Sequence, residues 1–261
     1  MRILICGYGV IGDLVAQGLL AAGHAVVGIR RTPGVATAGV QLVIGDAAEA
    51  AVHDSLPAID AVLLAANPGI RRGRDNGLRQ MATLIAARYA TARIVYTGTA
   101  SLYGDAQGSL VDENGVLADT PEAAALRAIE LALASHPRAL VLRATALVGP
   151  SRSFICERLR AAAGGEVVVK GDLERPFSYL HESDLAELCE QALMGSLGNG
   201  ILNAAAPQQL TVYRYYEHQA HLAGVTVSLR SDGSQVPRRG IDATRLQRLL
   251  PDFKWRGLEP V

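Results

Sequence analysis

The stretch Arg2-Ile3-Leu4-Ile5-Cys6-Gly7-Tyr8-Gly9-Val10-Ile11-Gly12 decides the fold. A short apolar run carrying β-branched residues stops at three glycines spaced G-x-G-x-x-G, and an amphipathic pattern (Ile11, Leu14, Val15, Leu19, Ala22) follows at once. That is strand, tight turn, helix. Gly7 permits the turn, Gly9 lets the backbone approach a pyrophosphate with no Cβ in the way, and Gly12 lets the helix sit close on its strand. The helix N-terminus then offers N–H groups and a partial positive charge to phosphates. The motif lies between a strand and a helix and is followed by a second strand, which is the context that makes G-x-G-x-x-G a dinucleotide signal. Gly7, Tyr8, Gly9, Val10, Ile11 and Gly12 are therefore read as a cofactor cradle; the alternative is a plain βα unit with a glycine turn.

Working outward, Gly23-His24 reads as a helix stop and Ala25-Val26-Val27-Gly28-Ile29 as a second buried strand, which ends in Arg30-Arg31-Thr32. The residue closing that strand, about 20 beyond the glycines, faces the adenosine ribose. An NAD site wants Asp or Glu there for the 2′-hydroxyl. Here two guanidiniums and a hydroxyl stand instead. Arginine's forked donors match a 2′-phosphate, so Arg30, Arg31 and Thr32 favour NADP(H) over NAD(H). The alternative is an exposed basic loop.

A third strand, Gln41–Ile44, closes on Gly45-Asp46, and a fourth, Ala61–Ala66, ends at Asn67-Pro68-Gly69. Strands alternating with helical segments at this rhythm imply right-handed crossovers and a parallel sheet covered on both faces. Ligands of such sheets bind beyond the carboxyl ends of the strands, so Asp46 and Asn67 are candidates for adenine or ribose contacts, with turn formation as the competing role. Arg71-Arg72-Gly73-Arg74 reads as a short solvated cationic loop before a helix that runs through about Tyr89.

A fifth strand, Arg93–Tyr96, runs into Thr97-Gly98-Thr99-Ala100-Ser101-Leu102-Tyr103-Gly104-Asp105, a cluster of hydroxyls where a reacting alcohol or carbonyl can be held. Asp119-Thr120-Pro121-Glu122 starts a helix in good order, with a capping side chain, proline in the first turn and an early acid. It runs to Ser135, and Ala139–Arg143 makes the sixth strand. Beyond Gly149-Pro150 the alternation breaks into a short helix (about 153–162), a strand (Val167–Val169), the segment Arg175–His181, a helix (Ser183–Met194), a strand (Ile201–Asn203) and an Arg-rich tail. The expected fold is α/β, a Rossmann-like doubly wound parallel sheet with a small C-terminal substrate lobe. Residues 1–150 plus about 177–203 form the NAD(P)-binding core, and about 151–176 with 204–261 form the lobe.

At 261 residues and 49% apolar, the chain can bury a full core. The formal charge is zero, so bulk electrostatics call for neither nucleic acid nor a membrane surface. The apolar stretches are broken before the ~18 residues of a membrane span, and no signal pattern precedes the first strand, so a cytoplasmic location is expected. Cys6, Cys156 and Cys189 are odd in number and never spaced C-x-x-C, which argues against a disulfide framework and against a zinc site, and no metal is expected. The only lysines are Lys170 and Lys254.

Several separated motifs now agree. Gly7 to Gly12, Gly45-Asp46, Thr97 to Gly104, Leu142-Arg143 through Val148-Gly149-Pro150, Phe177 to Leu185 and Leu202-Asn203-Ala204 stand in the order of one family. The chain resembles the extended or atypical short-chain dehydrogenase/reductases, the NAD(P)-dependent epimerase/dehydratase group. The resemblance implies that Asp46 contacts adenine, that Thr99 positions the reacting oxygen, and that Arg175 lies where nucleotide-sugar members hold a substrate phosphate; an ion-pair or packing role is the alternative for Arg175. It implies a packing role for His181 and Asp184, and a homodimer through the helices flanking the fifth and sixth strands.

One family feature is missing. The catalytic tyrosine, with a lysine four residues later, belongs near the start of the helix after the hydroxyl cluster. With Glu130 aligned on the glutamate that follows the pair, the two positions fall on Glu122 and Leu126, and no shift of register helps, because no tyrosine lies between Tyr103 and Tyr179 and no lysine precedes Lys170. A phenol with an ordinary pKa of about 10 is a base at neutral pH only beside a cation. Carbonyl reduction, which needs a proton donor, suffers less than alcohol oxidation. Tyr103 and Glu122 are the candidate donors beside Thr99, each with a structural alternative: a packed loop aromatic and a helix-dipole partner. The expected function is an NADP-dependent oxidoreductase or epimerase-like enzyme acting by hydride transfer on a small polar molecule, such as a sugar or nucleotide sugar. The alternative is a non-catalytic NADP-binding sensor.

Overall fold

The computed structural model describes residues 1–67, 69–70, 76–152 and 154–258. The cationic stretch Arg71–Arg74 lies outside them. The chain divides into two units: 1–102, 119–144 and 183–202 form the first, and 103–118, 145–182 and 203–261 the second.

The first unit is built on a seven-stranded sheet of β1 (Arg2–Cys6), β2 (Ala25–Arg30), β3 (Val40–Ile44), β4 (Ala61–Leu64), β5 (Arg93–Thr99), β6 (Ala139–Ala144) and β7 (Gly200–Ala204). Their order is β7-β6-β5-β4-β1-β2-β3. The five pairings from β3 through β6 are parallel. The order turns back at β1, so the switch point beyond which ligands of such sheets bind lies past the carboxyl ends of β1 and β4. Its helices are α1 (Val10–Ala21), α2 (Ala50–Asp54), α3 (Leu78–Arg88), α4 (Pro121–Ala134) and most of α6 (Glu182–Met194), with α5 (Phe154–Ala161) intervening in the chain. Consecutive residues Ile3, Leu4, Ile5 and Cys6 are all fully buried, because the sheet is covered on both faces. On one face Leu4, Cys6, Val27, Ile29, Val62, Leu64, Ile94 and Tyr96 pack with Met81, Ile85, Ile129 and Leu133 of α3 and α4.

β5 runs three residues further than its apolar pattern predicts. Thr97, Gly98 and Thr99 pair with Leu142, Arg143 and Ala144 of β6, so backbone pairing with a fully buried neighbour overrides the polar side chains. β4 stops at Leu64, short of the predicted Ala66.

In the second unit, α5 lies against α7 (Val212–Ala223) around Ile155, Leu159, Val167, Val169, Val212 and Ala220. Short strand pairs complete it: Glu166–Val169 with Ser228–Ser231, Ala146–Val148 with Tyr179–His181, and Leu110–Val111 with Gly240–Ile241, all parallel. The last of these explains why 103–118 belongs here and not with the core as the sequence suggests. So does Tyr103, whose buried hydroxyl donates to Asn203 Oδ1 at 2.7 Å. Residues 145–150 and 177–182 join this unit through their own pairing. A six-residue helix, α8 (Thr244–Leu249), is near the end.

Candidate functional site

The glycine turn sits on two strands. Gly7 takes φ +89°, and the N–H groups of Gly7 and Tyr8 both donate to Ile29 O, at 3.1 and 2.9 Å. A Cβ on Gly7 would fall 2.4 Å from Ala66 N, and one on Gly12 3.0 Å from Ile5 Cγ2. Gly9, the N-cap residue of α1, is different: a Cβ there would meet only Gly7 O, at 3.9 Å. Among the described residues no side chain caps α1. The first-turn N–H groups that a helix leaves unpaired thus face an approach kept clear at Gly9, which is the shape and polarity a diphosphate requires. Val10 is half exposed at the rim.

Tyr8, between two glycines of the motif, is buried, and its ring lies on Gly28 of β2, where a Cβ would come within 2.5 Å of Cδ2. Its hydroxyl donates to Asp13 Oδ1 at 2.6 Å. The same oxygen accepts from Thr37 N at 3.1 Å and Thr37 Oγ1 at 3.0 Å, and Oδ2 accepts from Gln17 at 3.0 Å. Partial burial works to raise the Asp13 pKa, but the bonds from Tyr8, Thr37 and Gln17 outweigh it and hold the carboxyl below its ordinary value. Burial, then the anionic partner, pushes the Tyr8 phenol up. Neither Asp13 nor Thr37 is singled out by the sequence; the available signal is the phenol placed inside a glycine motif.

At the end of β2, Arg30 is half-buried with its guanidinium against Gly34, where a Cβ would fall 2.4 Å from Nη1, while Arg31 and Thr32 are exposed. Asp46, just past β3, accepts from Ala48 N at 2.9 Å, and Asn67, past β4, accepts from Gly69 N at 2.8 Å. Each stabilises its own turn at a strand end, the role that competed with ligand contact.

Thr99 ends β5. Its Oγ1 accepts from Ser101 N and donates to Ser101 Oγ, both at 3.1 Å, and both side chains are partly exposed. Thr97 donates to Leu64 O at 3.2 Å. Cys6 pairs with Leu64 and Leu64 with Tyr96, so the glycine turn and Thr99 leave the same edge of the sheet, separated across it by two strand spacings, about 10 Å, with Thr99 reaching further along its strand. The other two candidates are placed differently. Tyr103 is fully buried on Asn203, whose amide donates to Val111 O and Asp242 O. Glu122 is exposed in the first turn of α4, where Thr120 caps by accepting from Ala123 N at 3.2 Å. Leu126, where alignment on Glu130 would set the lysine, is buried.

Arg175, in the second unit, donates from Nη2 to Lys170 O at 3.2 Å, and among the described residues its buried Nε has no hydrogen-bond partner. Burial lowers its pKa, against which Tyr216 and Asp172 work. A half-buried guanidinium with a donor to spare suits an anionic group. Among the described residues no set of three His, Cys, Asp or Glu side chains gathers as a metal site, and no helix is long and apolar enough to cross a membrane.

The model of the NAD dependent epimerase/dehydratase family matches residues 3–205. No curated protein matches the chain. Among solved structures, dTDP-glucose 4,6-dehydratase from Bacillus anthracis str. Ames in complex with NAD is 16% identical with a TM-score of 0.80, over 98% of this chain and 92% of that one. A UDP-galactose 4-epimerase is 21% identical with a TM-score of 0.78, over 100% and 94%. The Thermus thermophilus UDP-glucose 4-epimerase complex with NAD is 19% identical with a TM-score of 0.76, over 95% and 92%. At these identities the likeness shows the fold: a Rossmann-like parallel sheet.

Proposed function

The chain belongs to the NAD dependent epimerase/dehydratase family, and from that premise we propose that it is an NADP-dependent oxidoreductase or epimerase-like enzyme acting on a small polar substrate, a sugar or nucleotide sugar. The observation that carries the reading is the start of α1: Gly7 and Gly12 are closed by neighbours, while Gly9 alone of the three opens onto free space at an uncapped helix N-terminus. The residues fit a dinucleotide, with Gly9 through Gly12 at the diphosphate and Arg30, Arg31 and Thr32 at the adenosine ribose. No carboxylate ends β2, and Asp13, in the first turn of α1, is already occupied by Tyr8, Thr37 and Gln17, so a 2′-phosphate is favoured over a bare 2′-hydroxyl.

When bound, the nicotinamide supplies or accepts hydride. Thr99 then holds the substrate oxygen through Oγ1. The Thr99–Ser101 hydroxyl pair would move the proton: Thr99 Oγ1 would turn its proton from Ser101 Oγ to the substrate oxygen and, being partly exposed, take one back from solvent. Tyr103 is fully buried with its hydroxyl on Asn203, whereas Thr99 is partly exposed, and Glu122 stands in solvent, which weighs against Tyr103 and Glu122 as donors. Arg175 supports a phosphate-bearing substrate, as do the nucleotide-sugar names of the related structures. A cytoplasmic location, where diffusible dinucleotides are at hand, belongs to the same reading.

A second reading, an NADP-binding sensor without hydride transfer, is favoured by one observation: where the family sets a lysine, α4 buries Leu126. The two are separated by following nicotinamide absorbance against a panel of carbonyl compounds and nucleotide sugars, with Thr99→Ala as control. Turnover that Thr99→Ala abolishes supports the enzyme. Tight NADPH binding with no turnover across the panel supports the sensor.

A further inference from the structure

The segment between β2 and β3, residues 31–39, carries Arg31 and Thr32, and its residues are exposed except at Ala36 and Thr37. Thr37 reaches inward to a single acceptor, Asp13 Oδ1, with both its N–H and its hydroxyl, and its N–H also lies 3.2 Å from Tyr8 Oη. Tyr8 is part of the glycine turn and donates to the same oxygen; Asp13 is in the first turn of α1. One carboxylate oxygen therefore ties three pieces: the turn under the diphosphate, the helix start, and the loop bearing the ribose-side guanidinium. A mostly exposed loop of this length without such a tie would sample many conformations, and a site that must meet a 2′-phosphate at hydrogen-bond distance needs that freedom removed beforehand. The acceptor is charged, which makes these bonds the strong kind.

We propose that the Asp13–Thr37 clamp, closed by Tyr8, is a specificity-determining device: it positions Arg31 and Thr32 relative to the phosphate cradle and so sets the preference for NADP(H) over NAD(H). Asp13 and Thr37 are positioning residues. Their own groups are consumed within the clamp, so they act on the cofactor through the loop. The inference rests on the cofactor assignment made above, and it predicts an asymmetry which that assignment alone does not. Loosening the clamp leaves the diphosphate contacts, shared by both dinucleotides, in place, and weakens only the contact unique to NADP(H).

The test is to titrate NADP(H) and NAD(H), by fluorescence or calorimetry, into the wild type, Thr37→Val and Thr37→Ser; Asp13 is left intact because it also holds Tyr8 of the glycine turn. Thr37→Val removes one donor and keeps the backbone bond, so it is expected to fold. Its preference for NADP(H) falls by about tenfold, the scale of one hydrogen bond to a charged group, with NAD(H) affinity nearly unchanged, and Thr37→Ser restores it. Equal losses for both dinucleotides, or no change in either, overturn the clamp while leaving the cofactor assignment standing. A wild type that does not prefer NADP(H) overturns the assignment itself and the clamp with it.

Discussion

Arg143, on the sixth strand, grips Glu130 of α4 with two parallel bonds: Nε to Oε1 and Nη2 to Oε2, each 2.8 Å, with both side chains 2% exposed. Arg127 adds a third bond at 2.9 Å from the solvent side. The glutamate that fixes the register of the missing catalytic pair is thus a structural anchor between helix and sheet. Removing it takes both of these charge-assisted bonds from a buried guanidinium. Glu130→Ala is expected to cost about 3–5 kcal/mol in chemical denaturation while Arg127→Ala, at the half-exposed end, costs under about 1 kcal/mol. Similar losses for both would show that the burial of Arg143 is relieved by water.

Two of the motif glycines, Gly7 and Gly9, are expected to separate by assay. A side chain on Gly9 enters open space, so Gly9→Val abolishes dinucleotide binding and leaves the melting temperature close to wild type. Gly7→Ala meets both a positive φ and Ala66 N at 2.4 Å, and is expected to destabilise by about 2 kcal/mol or more. Binding retained in Gly9→Val would contradict the diphosphate cradle; an unaltered melting temperature in Gly7→Ala would contradict the turn.

The first half of the fold was legible because local chemistry and global position agree there. The run Ile3–Cys6, the glycines and the helix pattern each call for the same βαβ unit, and the sheet order follows from handed crossovers. The second unit was harder to read. Its strands are two to four residues long and pair with segments far along the chain, such as Leu110–Val111 with Gly240–Ile241, which no periodicity reveals. Hence 103–118 looked like part of the core. At the site, the glycines and Thr99 announce themselves by type and spacing, whereas Asp13 and Thr37 are ordinary residues that matter through one shared oxygen.

Tyr103 and Thr99 make opposite predictions. Tyr103→Phe leaves Asn203 Oδ1 without its phenol donor inside the second unit, so stability is expected to fall by about 1–3 kcal/mol with hydride transfer retained. Thr99→Val removes the hydroxyl at the sheet edge and is expected to lower turnover by about a hundredfold or more, with dinucleotide affinity kept. Stability by denaturation and single-turnover absorbance, measured on both variants, decide. Turnover lost in Tyr103→Phe with full stability would return the proton to the phenol.

The last prediction concerns Glu190 on α6, whose carboxylate lies against Gly18 of α1; a Cβ on Gly18 would fall 2.2 Å from Oε1. Burial, reinforced by the neighbouring Glu187, raises its pKa from 4.5 to about 7. The sign follows from proton linkage. Between about 4.5 and about 7 the folded protein keeps this proton while the unfolded chain releases it, so stability contributed by the neutral form is full at the acid end and is lost as pH rises through the window. Above it the folded state holds a partly desolvated charge. Glu190→Gln keeps the shape without the charge, so its melting temperature is expected to lack this decline and to exceed the wild type's at about pH 8. Parallel melting curves for the two proteins across the window would show that the carboxylate is ionised and hydrated at the α1–α6 contact.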